Sequence, residues 1–151
     1  MRAQMRQAGG DAAGARAAYQ QVVELCERLT REFPDHAEYR ALWAGVEGGL
    51  AWIELFARRP REAIAAASRG LEIDPNQVWI RTNLAHGYLF DNQYAKALAS
   101  YTENKDVKLP DGRTFAEAVL ADFKKLRAKG LDHPDMAKIE QLLKGAGAEG
   151  Q

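Results

Sequence analysis

The sequence predicts an all-α fold, a right-handed α-solenoid of antiparallel helical hairpins with about seven helices. Three observations predict it. No alternating run of β-branched residues reads as a strand. Helix breakers recur at helix-length intervals, at Gly9-Gly10, Pro34, Pro60, Pro75, Asp91-Asn92, Pro110, Gly130 and Pro134. The chain also matches itself when slid by 34 residues: Leu50 meets Leu84, Ala51 meets Ala85, Leu55 meets Leu89, Phe56 meets Phe90, Ala63 meets Ala97 and Ile64 meets Leu98.

Each helix follows from apolar spacing and end signals. The first, 11–33, carries Ala15, Ala18, Tyr19, Val22, Cys26, Leu29 and Phe33 as a single stripe at steps of three and four. The second, 36–57, carries Leu42, Trp43, Val46, Leu50, Ile53 and Leu55, with Asp35 and Glu38 spaced as a capping box. The third, 60–73, opens on Pro60, which the first helical turn tolerates, and stops at Asp74-Pro75. Asn76 is placed to cap the fourth, 77–90, and the fifth spans 93–106. The sixth, 114–129, has a capping box in Thr114 and Glu117 and an apolar face of Phe115, Val119, Leu120, Phe123 and Leu126. The seventh, 134–144, opens on Pro134 and is lined by Met136, Ile139, Leu142 and Leu143. Connections of two to seven residues make sequence neighbours antiparallel.

At 151 residues the chain fits one domain with a core of its own. Its 21 basic and 21 acidic residues cancel. That argues against a dedicated nucleic-acid or anionic-membrane surface, which needs a concentrated basic patch. The clusters Arg58, Arg59, Arg61 and Lys124, Lys125, Arg127, Lys129 read as solvated charges near helix ends. The single cysteine, Cys26, excludes an internal disulfide framework and is compatible with a reducing compartment. There is no apolar run of spanning length, and residues 1–14 lack the apolar stretch of a secretory signal. A cytoplasmic protein is expected, and heavy use of Ala, Arg and Gly points to a GC-rich bacterial source.

The stretch "LAWIELFARRPREAIAAASRGLEIDPN" resembles a tetratricopeptide repeat, and "LAHGYLFDNQYAKALASY" resembles the next one. Leu50, Ala51, Ala63, Ala67, Gly70, Leu71 and Pro75 fall where that family places its packing residues, as do Leu84, Ala85, Tyr88, Tyr94, Ala97 and Tyr101. The departures are Glu47 and Arg81 for an aromatic, Glu54 for a tyrosine and Asn104 for a small residue. The resemblance implies hairpins that stack because none can bury both faces alone. "GGDAAGARAAYQQ" resembles the turn and second helix of a preceding repeat, its Ala15 matching Ala63 at an offset of 48. Seven extra residues in each of two helices, close to two helical turns, account for the excess over 34. Residues 1–8 then read as the remnant of a first helix, and the chain is expected to start mid-array. The organisation expected is a partial long-helix repeat at 11–43, repeats at 44–77 and 78–111, capping helices at 112–144 where the period is lost, and a disordered tail at 145–151.

No arrangement of residues points to catalysis, a cofactor or a metal. His36, His86 and His133 lack metal spacing, and Cys26 lies in an apolar stripe as an inert thiol. Glu47 and Glu54 are two turns apart, too far for a carboxylate pair. The resemblance instead implies a groove, because the family lines its concave side with the first helix of each hairpin. Carried over, that gives Gly45, Gly48, Gly49, Trp52, Leu55 and Phe56 from one copy and Trp79, Thr82, Asn83, His86, Leu89 and Phe90 from the next. Trp52, Phe56, Trp79, Asn83, His86 and Phe90 form the partner-binding set: rings give contact area at low entropic cost, and Asn83 is placed to grip a backbone amide. The competing reading packs the aromatics against the long N-terminal helix or the C-terminal pair. Helix-weakening glycine, at roughly 1 kcal/mol each against alanine, implies close approach of something. Gly48 and Trp52 stand where one family variant has the Lys and Asn of a carboxylate clamp, so a more apolar ligand is expected. The expected function is non-catalytic binding of a peptide or helix from a protein partner. The alternative is a scaffold or oligomerisation segment of a larger bacterial protein, with self-association.

Overall fold

The computed structural model describes residues 12–149, and among them the regular secondary structure is seven α-helices and one isolated β-bridge, Lys108 to Thr114. The helices are α1 (Ala12–Glu32), α2 (Ala37–Phe56), α3 (Pro60–Ile73), α4 (Ile80–Phe90), α5 (Tyr94–Asn104), α6 (Phe115–Ala128) and α7 (Met136–Glu149). The expected helix remnant at 1–8 lies outside the described residues. So do the last two residues of the expected tail, whereas α7 continues to Glu149 instead of stopping at 144.

Some end signals act as the sequence implies. Thr114 Oγ1 accepts from the Glu117 backbone N–H at 3.1 Å while Glu117 Oε1 accepts from the Thr114 N–H at 3.1 Å, a reciprocal box. Such a cap is worth about 1 kcal/mol, and the N–H partner holds the Glu117 carboxyl below its ordinary range. Pro60 occupies the first turn of α3. Two expectations fail. His36, not Asp35, is the N-cap of α2, and Glu38 Oε1 lies 2.7 Å from His36 Nδ1 instead of closing a box. Asn76 does not cap α4: its N–H donates to Asp74 Oδ1 at 3.2 Å, and a run of tight turns carries the chain to Ile80.

The two hairpins α2–α3 and α4–α5 share a turn, bond for bond, at a shift of 34 residues. In the first, Arg58 N–H donates to Leu55 O and Arg59 N–H to Glu54 O, at 3.0 and 2.9 Å. In the second, Asn92 N–H donates to Leu89 O and Gln93 N–H to Tyr88 O, at 3.1 and 2.9 Å. Arg58 and Asn92 both take a left-handed backbone, at φ 60° and 62°. This is the paired bonding of a Schellman end, which satisfies carbonyls the helix leaves unpaired. The motif occurs a third time between α6 and α7, where Leu131 N–H reaches Leu126 O and Gly130 N–H reaches Arg127 O, with Gly130 at φ 81°. The period is therefore displaced beyond Pro110, not lost at this turn. The α5–α6 connection is four residues longer than the α3–α4 connection, and the third turn is late by the same four.

Burial follows the same shift. Ala51 and Ala85, Ala63 and Ala97, and Leu55 and Leu89 are all buried, while Phe56 and Phe90 are both half-buried. Each helix packs on the next, and α2 also meets α4, α4 meets α6 and α5 meets α7. The α1 stripe behaves differently from its expectation. It is divided: Cys26 is buried against α2, whereas Val22 and Phe33 are nearly half exposed, as are Leu25 and Leu42. Burial, with the Glu47 charge second, pushes the Cys26 thiol up. In α7, Leu142 is likewise exposed although Met136, Ile139 and Leu143 are buried.

The departures from the repeat pattern are paired with one another or with arginines. Buried Glu47 accepts from Arg69 Nε at 2.8 Å and Nη2 at 3.3 Å. Arg81 Nη1 donates to Asn104 Oδ1 at 3.0 Å. Glu54 Oε1 lies 3.0 Å from Arg16 Nε and 3.5 Å from Arg59 Nε. These are charge contacts without hydrogen-bond alignment, since none of the three atoms gains a directional partner.

Candidate functional site

A cleft of about 250 Å³ opens between alternate helices. Gly49 and Trp52 of α2 line one side, and Trp79, Thr82 and Asn83 at the start of α4 line the middle. Leu109 and Arg113 of the α5–α6 loop and Ala118, Asp122 and Lys125 of α6 line the far side.

Local sequence fixes these walls. Trp52 is held edge-to-face on Phe56, ring centroids 4.9 Å apart, and lies 6.3 Å from the His86 ring. Trp79 is held from both ends. Its Nε1–H donates to Gln77 Oε1 at 3.3 Å, and Gln77 in turn donates from Nε2 to Ala41 O and Asp74 Oδ2, at 2.7 and 3.1 Å. The indole then lies on α2 at Gly48, where an added Cβ would stand 2.6 Å from the Trp79 ring. The close approach that the glycines imply is thus internal: Trp79 and Ile80 at Gly48, Tyr19 at Gly49 and Gln77 at Gly45.

The loop wall comes from Leu109-Pro110-Asp111-Gly112. Pro110 presets the second turn position and Gly112 supplies φ 93°, closing a Gly112 N–H to Leu109 O bond of 2.9 Å. Asp111 Oδ2 accepts from Arg113 Nε at 2.8 Å. The Arg113 backbone N–H, and then its guanidinium, hold the Asp111 carboxyl below the usual range.

Beneath the cleft lies a buried polar chain. His86 Nε2 is 3.0 Å from Asp122 Oδ2, and His86 Nδ1 is 2.6 Å from the Tyr101 hydroxyl. A carboxylate only accepts, so Nε2 carries a proton towards Asp122, and Nδ1 shares a hydrogen bond with the Tyr101 hydroxyl. Burial, and then the Asp122 charge, push the Tyr101 phenol well up, which keeps it protonated. The chain ties α4, α5 and α6 under the site.

Among the six residues expected to bind a partner, Trp52, Trp79 and Asn83 line this one cleft. The other three do not line it. His86 is wholly buried with both ring nitrogens bonded, so it offers a partner no surface. Phe56 braces Trp52, and Phe90 packs edge-to-face on His133, centroids 5.9 Å apart, away from the cleft. Asn83 is 4 % exposed and its Nδ2–H already donates to Gly48 O at 3.0 Å. Sequence reasoning missed Leu109, Arg113, Ala118 and Asp122, and it read Lys125 only as a solvated charge. The signal for the loop was present, because Pro-Asp-Gly between Val107 and Phe115 is turn chemistry between apolar residues.

Among the described residues no group of three or more His, Cys, Asp or Glu side chains is arranged to hold a metal ion, and no helix is long and apolar enough to cross a membrane. No protein-family model, curated protein or solved structure matches the chain.

Proposed function

We propose that this chain is a tetratricopeptide-like array of stacked hairpins, a non-catalytic bacterial module of the cytoplasm that binds a peptide or helix of a protein partner. The turn shared at a shift of 34 residues and the contacts between alternate helices support the stacked architecture. One observation carries the binding role. Trp52 and Trp79, from successive hairpins, pack against the core on one side and stay partly exposed on the wall of the same cleft. Large, rigid side chains with an open face are the anchors that dominate binding energy at interfaces.

The test is capture of partners by the full chain against Trp52→Ala. Loss of an anchor costs about 2 kcal/mol, so specific partners are expected to bind about thirtyfold more weakly. An identical partner list at undiminished yield refutes the groove. A second reading, a self-associating scaffold, draws on another region. Four of the five half-exposed large apolar residues, Val22, Leu25, Phe33 and Leu42, belong to the α1–α2 hairpin. Light scattering across concentration tests it, and a monomer at high concentration removes it.

A further inference from the structure

The helix α1 carries two seams, and among the described residues only one is covered. Tyr19, Val23, Cys26 and Thr30 turn to α2: Tyr19 packs on Gly49, and Cys26 is buried. Ala15, Ala18, Val22, Leu25 and Leu29 form the other, at strictly alternating steps of three and four residues, and Glu32 ends it. Ala18, Val22 and Leu25 of this second seam are open to solvent. Steps of three and four in alternation are the a and d positions of a coiled coil, which bury themselves against another helix.

Two covers drawn from the chain's own pattern do not fit. At the offset of 48 the open seam echoes α3, with Ala15, Ala18, Val22 and Leu25 falling on Ala63, Ala66, Gly70 and Ile73. There Ala63, Ala66 and Gly70 are buried, and α2 lies so close that a Cβ added at Gly70 would stand 3.0 Å from Ala44 O. Val22 puts a branched side chain where that approach admits none, so a helix stacked as α2 stacks on α3 is shut out. Residues 1–8 are too short: carried back along α1 from Gly9-Gly10, they rise about 12 Å as a helix and end before Val22.

The seam instead suits a copy of itself. It tapers, from Ala15 and Ala18 at one end to Leu25 and Leu29 at the other. Run antiparallel, Ala18 faces Leu29 and Val22 faces Leu25, so each layer sets a smaller side chain against a larger one. Run parallel, alanine meets alanine and leaves a gap. The antiparallel register also sets Gln21 beside Arg28 of the second copy, so these flanking positions bring no like charges together. Resting on the self-association reading above, we infer that two copies of this chain pair through the open seam of α1, antiparallel about a two-fold axis between Val22 and Leu25. An interface of this kind is isologous and closes at two copies.

The experiment is sedimentation equilibrium on the unaltered chain, on Val22→Lys and Leu25→Glu separately, and on the two variants mixed, with circular dichroism to confirm helix content. The unaltered chain is expected to be a dimer. Each variant alone should associate about a hundredfold more weakly, because unpaired charges enter the seam. The mixture should recover a dimer, since the antiparallel register brings the introduced cation against the introduced carboxylate. A monomer at high concentration overturns the self-association reading and this inference together. A dimer indifferent to both variants overturns the inference and leaves self-association standing, and a mixture that stays monomeric overturns the register. Gln21→Cys mixed with Arg28→Cys, both at exposed positions, leaves the seam itself intact. A disulfide-linked pair is expected on mild oxidation, and its absence overturns the register.

Discussion

The hairpins α2–α3 and α4–α5 turn through the same hydrogen bonds yet cross-link their two helices by different chemistry. In the first, a buried carboxylate, Glu47, meets Arg69; in the second, Arg81 at the equivalent position meets Asn104. The third hairpin, α6–α7, uses yet another pair, Arg127 donating to Glu140 at 2.6 and 2.9 Å. Backbone geometry repeats because small residues and the left-handed turn residue dictate it locally. The polar link is not fixed in the same way: Glu47 and Arg81 are equivalent at a shift of 34, but their partners Arg69 and Asn104 are not.

That comparison can be attacked at its strongest point first. Leu55 and Leu89 occupy the same buried position in the two copies. Leu55→Ala and Leu89→Ala should each cost about 2–5 kcal/mol in urea unfolding, and by similar amounts. A cost confined to one copy breaks the equivalence. Next come the links. Arg69→Ala strands the buried Glu47 carboxylate, and since Arg69 itself is half exposed the loss is about 2 kcal/mol, below the range for wholly buried pairs. Arg81→Ala leaves only a part-buried amide and should cost about 1 kcal/mol.

The third link gives a pH signature. Arg127 hydrogen bonds hold the Glu140 carboxyl below its ordinary value. Its contribution is therefore complete above the ordinary glutamate value of about 4.3 and is lost as pH falls through the lowered value. Glu140→Gln should cost at most about 1 kcal/mol at neutral pH, after discounting for solvent screening. The gap between variant and wild type should close in acid, read by thermal melts across pH. A gap that persists at acid pH contradicts the ionic link. The smallest effect sharpens the turn comparison. Arg58 and Asn92 both hold a left-handed backbone, but Asn92 Oδ1 also meets His133 Nε2 at 2.8 Å, a contact that glycine would remove. Arg58→Gly should stabilise by about 0.5 kcal/mol more than Asn92→Gly.

The parts of this fold visible in the sequence are those set by local chemistry. Pro60, Asp74-Pro75 and the Thr114–Glu117 pair announce helix ends whatever surrounds them. Trp52, Trp79 and Asn83 were named together only through the family resemblance, which puts the first helix of each hairpin on one side; the shift of 34 itself sets Trp52 against His86. The burial of His86 was not legible, because its partner Asp122 sits 36 residues away on a helix beyond the inserted loop. The same four added residues hid the third turn at Gly130 and brought Leu109 and Arg113 to the cleft. An insertion that blurs a repeat thus builds one wall of the site. The division of the α1 stripe was also hidden, since periodicity shows that a face is apolar and not what covers it.

The central claim is that residues 44–77 form a stacking unit equivalent to 78–111. Its most direct test duplicates residues 44–77 in tandem and measures helicity and unfolding of the longer chain. A stack of equivalent units predicts unchanged helix content per residue and a higher unfolding free energy, because one more nearest-neighbour interface is added. A longer chain that is less helical or less stable than the original would show that these hairpins are not interchangeable.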